Sequence, residues 1–455
     1  MPCWIIRPRA SRKKMVKRLP HNIGRQRSTD MTYPLNRELG VVGATFMGLG
    51  SIVGTGVFVS IGIAVGEAGA GILVAIVSAA VVAICNALSS AQLAASHPVS
   101  GGTYEYGYIY LSPTLGFTAG WMFLCAKTAS AATAALGFAG YLLHALGADT
   151  HYLVVVAVGA VVVLTILVLT GLKKSNLTNI LIVSLTLGSL AIFIWAGIPD
   201  VLETEVTTFL PSNDEAGSLQ SLLYATALMF VAYTGYGRIA TMGEEVREPR
   251  RVIPQAIIIT LIVSAALYIA VALVVVAAVE GRTIGVSAQT GSAPLELIAQ
   301  ALDRPVVAMV ISAGAITAML GVLLNLILGL SRMALAMGRR ADLPTGLARV
   351  RNGVPAAAVI LVGLAISGLA AIGSIEIAWS FSAFTVLVYY AVTNLAALRM
   401  PPEKRLFSRA FPIIGLAGCV FLAVWVPPLI WATGLGLIVG GLLLRAIVLG
   451  RSNSV

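Results

Sequence analysis

The feature that most constrains this chain is a succession of apolar runs, each close to 20 residues long and separated by short polar segments. A helix of about 20 residues crosses the hydrocarbon core of a bilayer. Only helices and closed barrels satisfy their backbone polar groups there, so the runs predict an all-α integral membrane protein. About twelve transmembrane helices are expected, at residues 41–65, 71–94, 114–146, 151–171, 177–197, 218–241, 254–279, 305–332, 355–373, 377–398, 412–428 and 430–448.

Composition and charge distribution support a membrane protein. Hydrophobic residues make up 58% of the chain and charged residues 11%, against about 25% charged residues in soluble domains. The net charge of +11 does not indicate nucleic-acid binding, because the basic residues concentrate before the first span and in alternate loops. This asymmetry predicts a multi-pass protein of the cell membrane with both termini in the cytoplasm. The expected partners are the lipid bilayer and a small molecule, and the oligomeric state stays open.

The first 36 residues are basic and contain no apolar core followed by a cleavage site, unlike a secretory signal. We expect residues 1–36 to form a disordered cytoplasmic tail. The alternative is an over-long start, with Met31 as the natural first residue. The cysteines show neither pairing nor metal-ligand spacing, and three of the four lie in apolar runs where cysteine usually packs.

Four glycines lie in the middle of the first apolar run, at Gly48, Gly50, Gly54 and Gly56. Glycine weakens a helix by about 1 kcal/mol per residue relative to alanine, so this stretch favours an unwound backbone. Unpaired amides and carbonyls at membrane depth are tolerated where they face protein or a wet cavity. The amides at the start of a half-helix then suit a carboxylate. The alternative is close packing of an unbroken helix through small residues.

The sixth span repeats this pattern, because Gly235 and Gly237 interrupt another apolar run. Broken helices at the first and sixth positions fit two five-helix halves of opposite orientation, with a substrate site near the membrane midplane, as in secondary transporters. We therefore predict a 5+5 inverted repeat in residues 37–400, with one half at 37–200 and the other at 215–400. Residues 401–455 would hold two C-terminal helices, 11 and 12, and a short tail.

Four motifs, in order, resemble those of the amino acid–polyamine–organocation superfamily. They are the Gly-Thr-Gly-Val-Phe break at residues 54–58, the Pro-Val-Ser-Gly-Gly-Thr-Tyr loop that begins at Pro98, the Glu-Glu loop at residues 243–254 and the Ala-Met element within residues 331–344. Each motif alone is weak, whereas their order and their predicted side of the membrane together are specific. The resemblance extends over about residues 35–400.

The resemblance implies a secondary active transporter that moves amino acids by alternating access. A zwitterion would be held between two opposite half-helix ends, with no buried formal charge needed. The implied groups are the carboxylate-binding amides of Gly54, Thr55 and Gly56, the ammonium-binding carbonyls of Ile52, Val231 and Thr234, and the pocket-shaping residues Ala232 and Tyr233.

The chain departs from the family pattern at two positions that serve proton coupling in relatives. Gly237 stands where many relatives have a glutamate, and Ser184 opens a Ser-Leu-Thr stretch where some have a lysine. A sodium ion would instead use carbonyls near the first break with hydroxyls such as that of Thr317. We expect no cofactor and no metal site, and the coupling ion, H⁺ or Na⁺, stays open.

Two basic residues lie within or beside the spans, where ionisable side chains are costly and indicate function by default. Lys127, in the third span, is either a proton carrier or substitute cation facing the pathway, or a structural lysine paired with a carbonyl. Arg238, just past the second break, either pairs with Glu105, Glu244 or Glu245 in an inner gate or extends to the inner surface. Either cation near the pocket would repel a cationic substrate, which favours neutral amino acids.

Other polar residues have structural interpretations. Asn86 and Asn325 are expected to form interhelical hydrogen bonds. Tyr104, Tyr106, Tyr108 and Tyr110 are expected to anchor the chain at the membrane interface.

An enzyme is disfavoured, because no nucleophile–base pair, HExxH motif or dinucleotide fingerprint is present. A transporter of cationic amino acids or polyamines remains an alternative. So does a channel, or a transporter-like sensor that binds amino acids without moving them.

Overall fold

Helices account for the structure wherever it is described. The computed structural model describes residues 39–98, 101–171, 176–211, 218–241, 246–281, 293–351 and 353–452. Over these residues there is no β-strand, only the isolated bridges Leu39–Val246 and Arg351–Val354. The helices are α1 (Val41–Ile52), α2 (Thr55–Phe58), α3 (Ser60–Ala68), α4 (Ile72–Ser96), α5 (Thr103–Tyr110), α6 (Pro113–Ala145), α7 (Leu153–Leu169), α8 (Asn176–Glu203), α9 (Leu219–Tyr233), α10 (Gly237–Thr241), α11 (Pro249–Gly281), α12 (Pro294–Ala301), α13 (Pro305–Arg339), α14 (Ala356–Ala370), α15 (Ile375–Arg399), α16 (Ala410–Val424) and α17 (Pro428–Ser452).

Nine helical segments of the described chain are long and apolar enough to span a membrane. The shorter apolar helices α14 and α16 fall at two further predicted spans. The predicted all-α architecture is confirmed at this level. The count of twelve spans, the inverted symmetry of the two halves and the domain limits stay predictions.

Both predicted helix breaks are present. Val53 and Gly54 separate α1 from α2, and neither residue continues the helix. Between α9 and α10 the chain tightens into a 3₁₀ turn over Thr234–Tyr236 instead of unwinding fully. A 3₁₀ turn within a helix changes the direction of the backbone carbonyls while keeping most hydrogen bonds. The first break is therefore the more open of the two.

The two breaks pack directly against each other, and Gly235 makes this possible. A Cβ atom at Gly235 would overlap the carbonyl of Ser51 and lie 2.6 Å from Cγ1 of Ile52. Just outside α1, the backbone amide of Arg247 donates to the carbonyl of Leu39 at 2.9 Å, so the chain segments flanking the breaks are also tied together. Contact of this kind needs a residue without a side chain.

Small residues allow the central helices to approach closely. In α6 a continuous face is fully buried, and helices lined by alanine and glycine pack at short distance in membranes. The buried small residues of α6 include Ala126, Ala129, Ala131, Ala132, Ala134, Ala135 and Ala139.

Two short helices, α5 and α12, lie at opposite ends of the bundle, and the apolar runs predicted neither. Helix α5 follows α4, on the side where α10 ends, and α12 follows α11, on the side where α2 and α3 lie. The tyrosines of α5 were predicted to anchor at the interface, but Tyr104 and Tyr106 are buried. Tyr104 and Tyr108 instead donate hydrogen bonds to Asp342, beyond α13, at 2.7 and 2.5 Å. The interfacial interpretation is therefore wrong for Tyr104, which has the buried carboxylate as an internal acceptor, and for Tyr106, whose hydroxyl lies 3.4 Å from the carbonyl of His97.

The predicted interhelical role of Asn86 agrees with the structure. Its side chain, on α4, accepts a hydrogen bond from Asn394 on α15, and Sγ of Cys419 on α16 lies 3.4 Å from the same oxygen. Both asparagines are completely buried. The pair therefore joins three helices through polar contacts.

We predict that Asn86→Ala lowers the stability of the detergent-solubilised protein by about 1 kcal/mol, because interhelical hydrogen bonds in membranes contribute about 0.6 kcal/mol on average and at most about 1.7 kcal/mol. The measurement is a double-mutant cycle with Asn394→Ala, followed by denaturation. The two effects should be less than additive. Fully additive losses would show that the pair does not couple the helices.

Candidate functional site

A cavity of about 180 Å³ lies where the two helix breaks meet α6, α13 and α15. It extends from the breaks toward the end of the bundle at which α10 ends. Its lining combines the broken backbone with a few polar side chains and an aromatic wall. The lining includes Ser51, Ile52, Thr55, Gly56, Phe123, Lys127, Ser130, Val231, Ala232, Thr234, Arg238, Asn325, Arg332, Trp379 and Tyr390.

The first break presents backbone amides to this cavity. Thr55 and Gly56 are the first two residues of α2 and both line the cavity. The amides of a helix's first turn have no acceptor within the helix and carry the positive end of its dipole. Position 56 has no room for a side chain, since a Cβ there would overlap the Tyr268 hydroxyl and approach Cβ of Ala232 to 3.1 Å. The arrangement suits a small anion such as a carboxylate.

The carbonyls predicted to bind an ammonium group each accept a hydrogen bond from the protein already. Val231 O accepts from Oγ1 of Thr234 at 2.7 Å, and Thr234 O accepts from the Tyr390 hydroxyl at 3.2 Å. Ile52 O lies 3.1 Å from the hydroxyl of Tyr268. A backbone amide also donates to each of these carbonyls: that of Thr234 to Val231 O, that of Gly237 to Thr234 O, and that of Gly54 to Ile52 O at 3.0 Å. A carbonyl oxygen has two lone pairs, so a substrate ammonium would have to share or replace one of these donors.

Tyr268, on α11, connects the two breaks. Its hydroxyl lies 3.1 Å from Ile52 O and 3.0 Å from Ala232 O, the carbonyls at the ends of the two half-helices. A hydroxyl donates one hydrogen, which the two acceptors share or exchange. Sequence analysis missed this residue, because a tyrosine in an apolar run gives no signal that separates packing from hydrogen bonding.

Lys127 reaches the second break. Its Nζ donates a hydrogen bond to Oγ1 of Thr234 at 3.1 Å, and that hydroxyl in turn donates a hydrogen bond to Val231 O. Ser130, one turn further along α6, also lines the cavity and exchanges a hydrogen bond with Ser382 at 2.8 Å. The cation therefore lies in the wall of the cavity, next to one of the carbonyls predicted to bind substrate.

Arg238 and Arg332 line the cavity on the side of its opening. The predicted partner Glu105 forms an ion pair with Arg340 instead of Arg238. The Arg340 guanidinium also lies over the rings of Tyr104 and Tyr108, at 5.5 and 4.4 Å from their centroids, which adds cation–π contacts to the ion pair. The other two predicted partners, Glu244 and Glu245, lie outside the described residues.

The Glu105–Arg340 pair belongs to a polar cluster beside the opening of the cavity. Asp342, buried between α5 and α17, accepts from Arg445 at 2.7 Å as well as from Tyr104 and Tyr108. Burial and, to a smaller extent, the hydrogen bond to Asp342 together raise the pKa of the Tyr108 phenol to about 12. Burial also raises the pKa of Glu105, although Arg340 lowers it in part. The cluster ties α5 to the ends of α13 and α17.

Five predicted site residues lie off the cavity lining: Glu105, which belongs to the polar cluster, and four others. Gly54 is buried behind it, and a Cβ there would lie 2.6 Å from Cγ2 of Val322. Tyr233 turns away to stack against Tyr268, with 5.1 Å between ring centroids. Ser184 is exposed on the outer face of α8. Thr317 donates to the carbonyls of its own helix, at residues 313 and 314.

Asn325 was expected to form an interhelical hydrogen bond but lines the cavity. Trp379 and Tyr390, on α15, complete an aromatic wall that spacing alone did not reveal. Across the described part of the chain, no cluster of three or more His, Cys, Asp or Glu side chains could hold a metal ion.

Comparisons with known proteins place these features in a family. The amino acid permease family profile matches residues 43–450. An uncharacterized transporter of Mycobacterium tuberculosis is 40% identical over 405 residues, which cover 88% of each chain. The branched-chain amino acid permease BcaP of Bacillus subtilis is 29% identical over 335 residues, which cover 70% of each chain. The methylthioribose transporter of the same species is 26% identical over 424 residues, covering 87% of this chain and 90% of its own.

The family profile covers the broken helices, the cavity and the C-terminal helices together. The resemblance predicted from four sequence motifs is thereby confirmed. Proteins of this family are permeases, which accords with the expectation of a transporter in place of an enzyme. The chain is therefore a multi-pass membrane protein that belongs to the amino acid permease family.

Proposed function

We propose that this protein moves neutral amino acids across the cell membrane by alternating access. The observation that carries the proposal is the cavity at the meeting point of the two helix breaks, lined by Thr55 and Gly56 on one side and by Val231, Ala232 and Thr234 on the other. A zwitterion needs an anion site and a cation site a few ångströms apart. Helix amides and helix carbonyls supply both without a buried charge.

The substrate carboxylate would accept hydrogen bonds from the amides of Thr55 and Gly56. Its ammonium would donate to Ile52 O and Val231 O, where it would replace the hydroxyls of Tyr268 and Thr234 as donors. Gly54 contributes by permitting the turn that frees these amides, since Val322 occupies the space of any side chain. The aromatic wall, with Phe123 and Trp379, would contact an apolar side chain.

The position of Lys127 favours neutral over cationic substrates. Its ammonium touches Thr234, so a second positive charge in the cavity would meet a like charge within a few ångströms. At an effective dielectric constant of about 20, two like charges about 4 Å apart cost on the order of 4 kcal/mol, or about a 1,000-fold loss of affinity.

Alternating access requires a cavity that opens to one side at a time, and the cavity here extends toward the end where α1 begins. Basic residues of the described loops concentrate at that end, which supports an inward-open state with both termini in the cytoplasm. At the other end α12 packs on α3. Gly62 makes this contact possible, because a Cβ atom at that position would lie only 2.5 Å from Cβ of Pro294. Lys127, Arg238 and Glu105 are candidates for coupling or gating, with H⁺ or Na⁺ as the coupling ion.

Substitutions at the first break test the proposed carboxylate site. Gly56→Val should abolish amino acid binding, because its side chain would displace the Tyr268 hydroxyl and close the amide site. Gly54→Leu should act in the same way through Val322. The measurement is a thermal-shift screen of the purified variants against the twenty amino acids, since a ligand of the folded state raises its apparent stability.

Gly66→Leu is the matched control, since no atom lies within 4 Å of a Cβ at that glycine. It should bind and insert normally. Unimpaired binding by Gly54→Leu and Gly56→Val, in protein that is correctly inserted, would contradict the proposed carboxylate site.

The second prediction concerns charge selectivity. Lys127→Met should raise the affinity for lysine relative to leucine by at least about tenfold, because it removes the like charge while keeping a long apolar side chain. The measurement is competition by each amino acid against a labelled neutral substrate. Lys404→Met, which removes a lysine from a loop beyond α15, should leave the ratio unchanged. An unchanged ratio in Lys127→Met would show that Lys127 does not select against cations, and the cationic or polyamine alternative would then gain support.

A further inference from the structure

Glu296, on α12, is a carboxyl group buried at the end of the bundle opposite the cavity opening. Only 3% of the residue is exposed. Oε1 accepts a hydrogen bond from Nε2 of Gln300 at 3.2 Å, and Oε2 has no hydrogen-bond partner among the described residues. No described Lys, Arg or His side chain forms an ion pair with it. A buried carboxylate without a cation costs several kcal/mol, so a group in this position favours its neutral form.

The surroundings of Glu296 supply little positive charge. From α6 it faces Tyr141 and His144, and from α13 it faces Ser312. Helix α11 also packs against α12 but has no charged residue from Val252 to Val279. Burial raises the pKa of the Glu296 carboxyl above its ordinary value, while Ser312 and His144 lower it by less.

The nearby charges of the same end are engaged elsewhere. Arg304, which follows α12, forms an ion pair with Asp200 at 2.6 Å. Glu67, on α3, has Glu376 of α15 as its electrostatic neighbour. Neither group neutralises a carboxylate at Glu296.

A hydrogen-bonded chain connects α12 to the broken first span. The backbone amide of Leu295 donates to the hydroxyl of Tyr141 at 3.2 Å. That hydroxyl donates to the carbonyl of Phe58 at 2.9 Å, at the last residue of α2. Leu295 is the neighbour of Glu296 in sequence, so a displacement of α12 that carries Glu296 into water would also break the connection to α2. The docking of α12 and the position of the carboxylate-binding half-helix are therefore mechanically linked.

We propose that Glu296 is a proton-binding site that controls the docking of α12 on the broken first span. This inference rests on the proposed function for its consequence in transport, although the site itself does not. Docking takes one proton from the solution at the α12 end and converts the carboxylate to a carboxylic acid. Undocking returns the proton to the same solution. Acid on that side therefore favours the state in which the cavity opens to the opposite side.

The direction of the pH effect follows from linkage. The docked state holds the proton more tightly than the undocked state, in which Glu296 is in water with an ordinary pKa of about 4.3. Docking is strongest below that value. It weakens by up to about tenfold per pH unit as the pH rises toward the raised pKa, and it is constant above it.

The test uses the full-length protein with its four cysteines replaced by alanine and a single reporter, Ala299→Cys, which is 1% exposed on α12. The rate of labelling by a membrane-impermeant maleimide, corrected for the pH dependence of a freely exposed thiol, reports undocking. We expect the corrected rate to rise at least tenfold between pH 5 and pH 8. Glu296→Gln, which mimics the protonated form and keeps the contact to Gln300, should label slowly at every pH.

Glu376→Gln is the matched control, because it removes an exposed carboxyl from the same end. It should retain the full pH dependence. A corrected labelling rate that does not change with pH, or that changes equally in Glu296→Gln, would overturn the proposal. The pH dependence of labelling is measured on the reporter protein that retains Glu296. The proposal can therefore be contradicted even if the Glu296→Gln variant fails to fold.

A transport measurement separates this inference from the proposed function. Uptake of a neutral amino acid into proteoliposomes should depend on the pH at the α12 side, and Glu296→Gln should lose that dependence. If no amino acid is transported but labelling still depends on Glu296, the proposed function fails and the proton site stands. If transport proceeds and labelling is independent of pH, the reverse holds.

Discussion

The structure depends on how it satisfies backbone groups where the spanning helices are broken. In hydrocarbon every free amide or carbonyl costs several kcal/mol, so a broken helix survives only if other groups replace its lost hydrogen bonds. Here tyrosine hydroxyls from three neighbouring helices supply them. Tyr268 serves the carbonyls of both breaks, Tyr390 serves Thr234, and Tyr141 serves Phe58. The amides of Thr55 and Gly56 are the groups left facing the cavity, and the proposed substrate takes the place of the missing acceptor.

These tyrosines also explain how separate parts of the bundle communicate. Tyr268 is on α11, Tyr390 on α15 and Tyr141 on α6, so each break is held by a helix outside its own chain segment. If either half-helix moves, at least one of its carbonyls loses or changes its hydrogen bond to a tyrosine on one of these three helices. Lys127 adds an electrostatic element, because its contact with Thr234 places a positive charge beside the second break. Under the proposed function, substrate binding and conformational change would act on the same few backbone carbonyls.

Sequence analysis located the breaks because glycines within an apolar run are costly and therefore informative. It found Lys127 for the same reason, since a charge in a span stands out. It could not predict Tyr268 or Tyr141, whose aromatic rings suit an apolar helix face whether or not the hydroxyl is used. Ser184 was predicted as a site residue but does not face the interior of the bundle. Its position within the fifth span was inferred from a resemblance, but the rotation of α8 about its axis decides which side chains face inward, and Ser184 lies on the outer face. Glu296 follows a loop and gave no sign of being buried.

Uptake of a labelled neutral amino acid, such as leucine, into proteoliposomes containing the purified protein is the direct test of transport by alternating access. We expect uptake that saturates with substrate concentration, shows counterflow when unlabelled leucine is loaded inside, and is abolished by Gly56→Val. Flux that rises linearly with concentration and shows no counterflow would indicate a channel. Binding without any flux would indicate a sensor, and either result would contradict alternating access at the two helix breaks.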